Sequence, residues 1–92
     1  MTQATARHIL VETEAKCDEL KQALENGQDF AEVAREYSRC PSGRNGGDLG
    51  SFGPGQMVPE FDQAVFNSEL NTVIGPIRTQ FGYHLLEVTG RS

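Results

Sequence analysis

The sequence predicts an α+β domain built around a mainly antiparallel sheet. Segments typical of strands and helices follow one another in the order β-α-α-β-α-β-β, without the regular alternation that builds a parallel sheet. The chain has 92 residues, the size of one small domain. Hydrophobic residues make up 37% and charged residues 23%, as in a globular protein. We therefore treat residues 1–92 as a single domain.

The first half of the chain predicts one strand and two helices. Residues 6–11 form an apolar run of strand length. Residues 13–26 carry an apolar stripe at helical spacing, and Gly27 behind them is a typical helix stop. Asp29, with a glutamate three residues later, has the spacing of a capping box and opens the second helix. The buried face of that helix extends to Tyr37.

The second half predicts a loop, a helix and three strands. Residues 38–47 contain a proline and three glycines and are expected to form a loop. Residues 48–52 follow as a short strand, and Pro59 suits the first turn of a third helix. Residues 76–79 and 82–88 form two further strands. The two residues between them are the right length for a hairpin loop.

Charge and cysteine content exclude several classes of protein. Thirteen acidic and eight basic residues give a net charge of −5, which opposes binding to nucleic acid and to anionic membrane surfaces. Apolar runs stay short of the ~20 residues of a membrane span. Residues 1–5 lack the basic and apolar regions of a secretory signal. Two cysteines allow at most one disulfide, so we expect a reducing, cytoplasmic setting.

Both histidines lie within predicted strands. His8 shares a strand face with Leu10, and His84 shares one with Leu86. A histidine on an apolar face needs a hydrogen-bond partner, since an unpaired one costs about 1–3 kcal/mol. If the first and last strands are neighbours, the two imidazoles can pair with each other. Two interpretations are open: satisfied core histidines, or a catalytic pair.

Three apolar side chains are candidates for a binding pocket. Met57 and Phe61 flank Pro59 at four-residue spacing, and ordinary core packing explains them equally well. Phe81 falls at the predicted hairpin tip, where an aromatic ring is difficult to bury. For Phe81 we therefore favour a position on the surface or at a pocket.

Other kinds of site find weaker support. The spacing of the histidines and cysteines lacks a zinc signature. Cys40, before Pro41 near the predicted end of the second helix, is open to interpretation as an inert apolar side chain or a nucleophile. Six of the ten glycines fall between residues 43 and 55. The segment 43–50 fails the phosphate-loop templates and leads into a strand rather than a helix, so tight turns explain the glycines better.

Several motifs stand in order along nearly the whole chain, from about residue 4 to residue 90. They are Arg7-His8-Ile9-Leu10-Val11, Asp29-Phe30 through Ala34, Tyr37-Ser38, Cys40-Pro41-Ser42, Gly46-Gly47-Asp48-Leu49-Gly50, Gly55-Gln56-Met57-Val58, Phe61 to Phe66, Gly75-Pro76-Ile77 and Thr79-Gln80-Phe81-Gly82-Tyr83-His84-Leu85-Leu86. Together they resemble the parvulin family of peptidyl-prolyl cis/trans isomerases. The sequence is most similar to the small single-domain bacterial parvulins.

This resemblance implies a fold, an activity and a set of site residues. The fold would be a four-stranded antiparallel sheet flanked by helices, of the parvulin and FKBP-like kind. The activity would be rotation about X-Pro bonds in folding proteins, without a metal or other cofactor. The resemblance assigns catalytic roles to His8, Cys40 and His84, and substrate contacts to Leu49, Met57, Phe61, Thr79 and Phe81.

One departure from phosphate-directed parvulins concerns the segment after the first strand. Those relatives carry a long basic loop there, whereas this chain has Glu12 and Glu14 in a short one. Carboxylates repel a phosphorylated residue before proline, so we expect no requirement for phosphate. The expected partners are proline-containing polypeptides, bound by a monomer. The alternative function is a non-catalytic peptide-binding chaperone module on the same fold.

Overall fold

The protein forms one antiparallel sheet with helices on both faces. The structure is a computed structural model that describes residues 3–91; Met1 and Thr2, part of the segment tested for a signal, and Ser92 lie outside it. The strands are β1 (Ala4–Val11), β2 (Asp48–Phe52), β3 (Val73–Thr79) and β4 (Gly82–Arg91). The helices are α1 (Glu14–Glu25), α2 (Phe30–Tyr37) and α3 (Pro59–Asn67). The predicted order of elements is confirmed.

The helix ends follow from local chemistry. The Thr13 side chain accepts a hydrogen bond from the Lys16 backbone N–H at 3.2 Å and caps α1. Asp29 accepts from the Glu32 N–H at 3.1 Å and caps α2, as its spacing predicts. Pro59 occupies the first turn of α3, where its missing N–H costs nothing.

Four predicted boundaries are wrong. β1 begins at Ala4 rather than at residue 6, because Ala4 and Thr5 also pair with β2 and β4. The loop predicted for residues 38–47 contains a short 3-10 helix, Pro41–Asn45. β3 begins at Val73 rather than at residue 76, because Val73 and Ile74 pair with β4 across an irregularity before Ile77. β4 continues to Arg91, three residues beyond the predicted end, because its last residues pair with the start of β1. Val73 and Ile74 were not predicted as part of β3, because the glycine and proline that follow them are typical of turns.

The sheet has the strand order β2-β1-β4-β3, so the first and last strands of the chain are central neighbours. Successive side chains of β1 and β4 point to opposite faces. One face packs under α1 and α2, through residues such as Ile9, Leu20 and Leu85. The other packs under α3, through residues such as Val65 and Leu86. No helix in the described part is long and apolar enough to cross a membrane.

Candidate active site

A cavity of about 470 Å³ opens on the α3 side of the sheet. Its walls come from the strands, from α3 and from the loops that join them. The lining residues are His8, Leu10, Arg39, Cys40, Pro41, Leu49, Gln56, Met57, Val58, Phe61, Thr79, Phe81 and His84. All eight residues predicted for the site are among them. The fold therefore brings together side chains that lie up to 76 positions apart.

The two histidines meet at the floor of this cavity. β1 and β4 pair so that His8 lies opposite Leu86, and His84 lies opposite Leu10. This register places both imidazoles on the same face, with their Nδ1 atoms 3.2 Å apart. The rings stack at an interplanar angle of 17°, and each histidine is 4% exposed. The predicted pairing of the imidazoles is confirmed as geometry.

Hydroxyl groups extend the pair at both ends. The Nε2 atom of His8 lies 3.0 Å from the Ser42 Oγ, and that of His84 lies 2.7 Å from the Thr79 Oγ1. The Phe81 backbone N–H donates to the same Thr79 oxygen at 3.2 Å. All four ring nitrogens are thus engaged. A neutral imidazole carries one N–H, so each ring donates through one nitrogen and accepts through the other.

Burial keeps both rings neutral at pH 7. Loss of solvation lowers the pKa of His8 from 6.5 to about 4, and repulsion by His84 adds to this effect. Loss of solvation also lowers the pKa of His84 to about 4. The floor of the cavity therefore offers hydrogen-bonding groups without a net charge.

Phe61 supports the imidazoles from the α3 side. Its ring meets His84 edge-on at a centroid distance of 4.6 Å and His8 at 5.6 Å. Phe61 is only 2% exposed and packs in the cluster under α3, so it is a core residue as well as a lining residue. Met57 and Leu49 are half-buried at the edge of the same cluster. Core packing and pocket lining are therefore combined in these side chains.

Phe81 lies at the mouth of the cavity. It occupies the tip of the hairpin between β3 and β4 and is 64% exposed, as expected for an aromatic ring at that position. An exposed ring beside an apolar cavity is available to contact a bound polypeptide.

Cys40 does not lie at a helix C-terminus, contrary to the sequence prediction. α2 ends at Tyr37, and Cys40 instead precedes the 3-10 helix as its N-cap residue. The Arg39 N–H donates to the Leu10 carbonyl at 2.8 Å and fastens this segment to β1. The thiol is free and lines the cavity. Because every ring nitrogen is already engaged, the nucleophile interpretation lacks an imidazole base.

Comparison with known proteins identifies the family. The pattern of the PPIC-type PPIase domain matches residues 1–92. This chain belongs to the PPIC-type peptidyl-prolyl isomerase domain family. The foldase protein PrsA of Halalkalibacterium halodurans is 50% identical over 92 residues, which are 99% of this chain and 28% of that protein. The chain spans about 30% of the length of the curated relatives it matches.

Solved structures agree with this assignment. The peptidylprolyl isomerase PrsA of Bacillus anthracis superposes with a TM-score of 0.96 at 36% identity, covering 99% of this chain and 42% of that one. NmPin, the parvulin of Nitrosopumilus maritimus, superposes with a TM-score of 0.88 at 32% identity, covering 98% of both chains. The predicted parvulin fold and family are confirmed.

Six lining or supporting residues of the isomerase domain were not predicted for the site: the apolar Leu10, Pro41 and Val58, and the polar Ser42, Arg39 and Gln56. Ser42 bonds to His8, Arg39 lines the cavity, and Gln56 lines it beside Met57. The Gln56 Oε1 accepts from the Gly53 N–H at 2.9 Å, which leaves the amide N–H groups free to donate. Ser42 and Gln56 stood inside motifs of the resemblance, but polar loop residues give no signal of their own.

Gly47 connects the glycine-rich segment of the isomerase domain to the imidazole pair. The His8 N–H donates to the Gly47 carbonyl at 2.9 Å. Gly47 has a φ of +84°, and a Cβ there would lie 2.3 Å from the His8 carbonyl oxygen. The backbone of β1 and the loop can approach this closely only with glycine. Within residues 3–91, no three His, Cys, Asp or Glu side chains form a group that could hold a metal ion.

Proposed function

We propose that this domain accelerates cis/trans rotation about X-Pro bonds in proline-containing polypeptides as they fold. The proposal rests on one observation: the apolar cavity has a buried, neutral imidazole pair at its floor. The PPIC-type family supports the reaction, and the name of the similar foldase PrsA supports folding polypeptides as substrates.

The reaction needs no bond to be broken. Resonance holds the X-Pro amide planar, behind a barrier of about 18–20 kcal/mol. A protein lowers that barrier by binding the twisted amide better than either planar form. Each tenfold acceleration takes about 1.4 kcal/mol of such preferential binding. We assign the proline ring to the wall formed by Leu49, Met57 and Phe61, so that the ring is held while the preceding carbonyl rotates.

The polar side of the cavity supplies hydrogen bonds rather than charge. A twisted amide has lost its resonance and is less polar than a planar one, so an apolar, uncharged site favours it. His8 and His84 are neutral and are held in place by Ser42 and Thr79. The free amide N–H groups of Gln56 are placed to donate to a substrate carbonyl. Cys40 contributes as a lining side chain, without covalent attack.

We further propose that turnover does not require phosphate. Arg39 is the only Lys or Arg among the lining residues, and its guanidinium lies 3.5 Å from the Glu12 carboxylate. Arg7 faces away from the cavity, since it pairs with Glu87 at 2.6 Å and packs over the Phe30 ring. Within this cavity, a phosphate dianion on the residue before proline would therefore meet one partly neutralised cation. Neutral or apolar residues are the expected neighbours of the proline.

The test is exchange NMR on a short Ser-Pro peptide and its phosphorylated twin, with catalytic amounts of protein. Broadening of the cis and trans signals of the unphosphorylated peptide supports isomerase activity. Binding without broadening would support the non-catalytic chaperone module instead. Turnover of the phosphopeptide tenfold faster than that of its twin would contradict phosphate independence.

The cytoplasmic setting and the monomeric state remain proposals. Cys17 and Cys40 are both free, and burial raises the pKa of the Cys17 thiol to about 11, which suits an unreactive thiol in a reducing compartment. Recovery of the native protein in an extracytoplasmic fraction would contradict the first proposal. A sedimentation mass of twice 10.1 kDa would contradict the second.

A further inference from the structure

A second cavity of about 330 Å³ lies beside the first. It is bounded by the end of α2 and by the 3-10 helix. Its lining residues are Arg35, Ser38, Arg39, Cys40, Pro41, Gly43 and Arg44. Arg39, Cys40 and Pro41 line both cavities, so the two form neighbouring parts of one surface. A polypeptide that leaves the proline cavity over these three residues enters the second cavity directly.

This second cavity is strongly basic in a chain whose net charge is −5. Three arginines line it, and its lining residues include no carboxylate. Arg35 and Arg44 are exposed and have no ion-pair or hydrogen-bond partner within the part of the chain that the structure describes. Arg39 has only the long 3.5 Å contact with Glu12. Two guanidinium groups are therefore fully available to an anion.

Ser38 adds a hydrogen-bond donor to the same surface. Its Oγ accepts from the Leu10 N–H at 3.1 Å and from the Cys40 N–H at 3.4 Å. With both lone pairs of the oxygen engaged, the hydroxyl hydrogen is left to donate, and residues 3–91 contain no acceptor for it. Guanidinium groups and a hydroxyl donor together suit a carboxylate, which accepts hydrogen bonds through both oxygens.

We propose that this second cavity binds the carboxylate of an aspartate or glutamate in the substrate polypeptide, at a position away from the proline. The proposal rests on the proposed function, because it assigns the ligand to the same polypeptide that fills the proline cavity. Each residue of an extended chain spans about 3.3–3.6 Å, so an acidic side chain a few residues from the proline reaches the arginines. The arginines would then select among proline sites by an acidic residue that is not adjacent to the proline.

The test scans one glutamate through a neutral proline peptide, at each position from three before to three after the proline. Dissociation constants are measured by NMR titration of the protein at low salt, with the all-neutral peptide as reference. We expect at least one position not adjacent to the proline to bind roughly three- to tenfold tighter, as several exposed charge pairs allow. The gain is expected to shrink at 0.5 M salt, because exposed pairs are screened.

Variants separate this surface from general charge effects. The double variant Arg35→Gln/Arg44→Gln is expected to remove the gain while binding the neutral peptide as before. Arg78→Gln is the control, since Arg78 is exposed on β3 between residues that point to the other face. The charge-reversing variant Arg35→Glu/Arg44→Glu is expected to prefer a lysine at the same peptide position.

Two results would overturn the proposal. One is equal affinity for the neutral peptide and for every glutamate peptide. The other is a gain that survives Arg35→Gln/Arg44→Gln. Neither result depends on turnover, because affinity is measured directly. Absence of turnover on the neutral peptide would contradict the proposed function. The present proposal would still be decided by the measured affinities.

Discussion

The two faces of the sheet come from the same strands but differ in how completely they are covered. The face under α1 and α2 is closed by a continuous apolar cluster that includes Ile9, Leu20 and Leu85. The face under α3 holds the buried polar side chains His8, Thr79 and His84. It is bordered by apolar residues that are only partly buried, such as Met57.

This difference assigns separate tasks to the two faces. His84 and Leu85 are neighbours in the chain, yet the His84 imidazole faces the cavity and the Leu85 side chain is buried on the opposite face. Hydrophobic burial scales with the apolar area removed from water, so fully buried side chains of the closed face contribute more stability than the half-buried side chains that border the cavity. On the open face, apolar side chains that border the cavity stay partly exposed and are available to contact a ligand. Substitutions on the two faces should therefore separate stability from activity.

The largest expected effect is on the closed face. Leu85 is fully buried, so Leu85→Ala leaves a cavity and is expected to lower the free energy of unfolding by about 2–5 kcal/mol. The activity of the protein that remains folded should stay within about twofold of the original. Urea denaturation and exchange NMR on the same samples measure both quantities. A loss below about 1 kcal/mol would contradict the tight packing of Leu85 in the closed face.

Acid is also expected to lower the stability, through the two histidines of the open face. Unfolded histidines bind a proton near pH 6.5, whereas His8 and His84 stay neutral when folded down to about pH 4. Between these values the unfolded state binds more protons. The free energy of unfolding therefore falls as pH falls, by up to about 1.4 kcal/mol per pH unit for each histidine. The contribution is fully present above pH 6.5.

Titration of the imidazole carbon-bound protons by NMR assigns this effect to the two residues. Their chemical shifts are expected to remain constant from pH 8 to pH 5.5, as long as the protein is folded. A titration centred near pH 6.5 for either ring would show that the open face does not keep its imidazoles neutral.

The smallest effect on stability, with a clear effect on activity, is expected at Met57. Met57 is half-buried at the cavity wall, so Met57→Ala should cost about 1 kcal/mol or less in unfolding free energy. Lost contact with the proline ring should lower kcat/KM about tenfold, which corresponds to about 1.4 kcal/mol. Leu70→Ala, at an exposed apolar residue outside the cavity lining, is the matched control. Unchanged kcat/KM would place the ring elsewhere. Phe61→Ala is less informative, because Phe61 is also a core residue.

Sequence patterns predicted the fold well where periodicity is strong. The apolar stripes of α1 and α2 and the apolar segments of β1 and β4 are local signals, and they were sufficient to predict these four elements. They failed in β3, whose pairing crosses an irregularity at Gly75 and Pro76. They also failed for the 3-10 helix, which has no periodic signal in a segment rich in glycine and proline.

The site was predicted in part by pattern and in part by resemblance. The two-residue period placed each imidazole on an apolar strand face, and the pairing of β1 with β4 then brought the rings together. Leu49 and Thr79 entered only through the resemblance to parvulins, which also favoured an active-site role for Cys40 over an inert side chain. Ser42 was not predicted for the site, because its contact with His8 spans 34 residues and depends on the curvature of the 3-10 helix. No local spacing encodes such a contact.

The hydrogen-bond chain through the histidines has a direction. If the Thr79 hydroxyl donates to His84, then His84 donates to His8 and His8 donates to Ser42. If the Ser42 hydroxyl donates to His8 instead, every hydrogen bond in the chain runs in the opposite direction. The dipole of the cavity floor can therefore invert as a unit without the formation of an ion. The direction of the chain also decides which hydroxyl can donate to another group. In the first arrangement it is Ser42 in the 3-10 helix, and in the second it is Thr79 at the cavity wall.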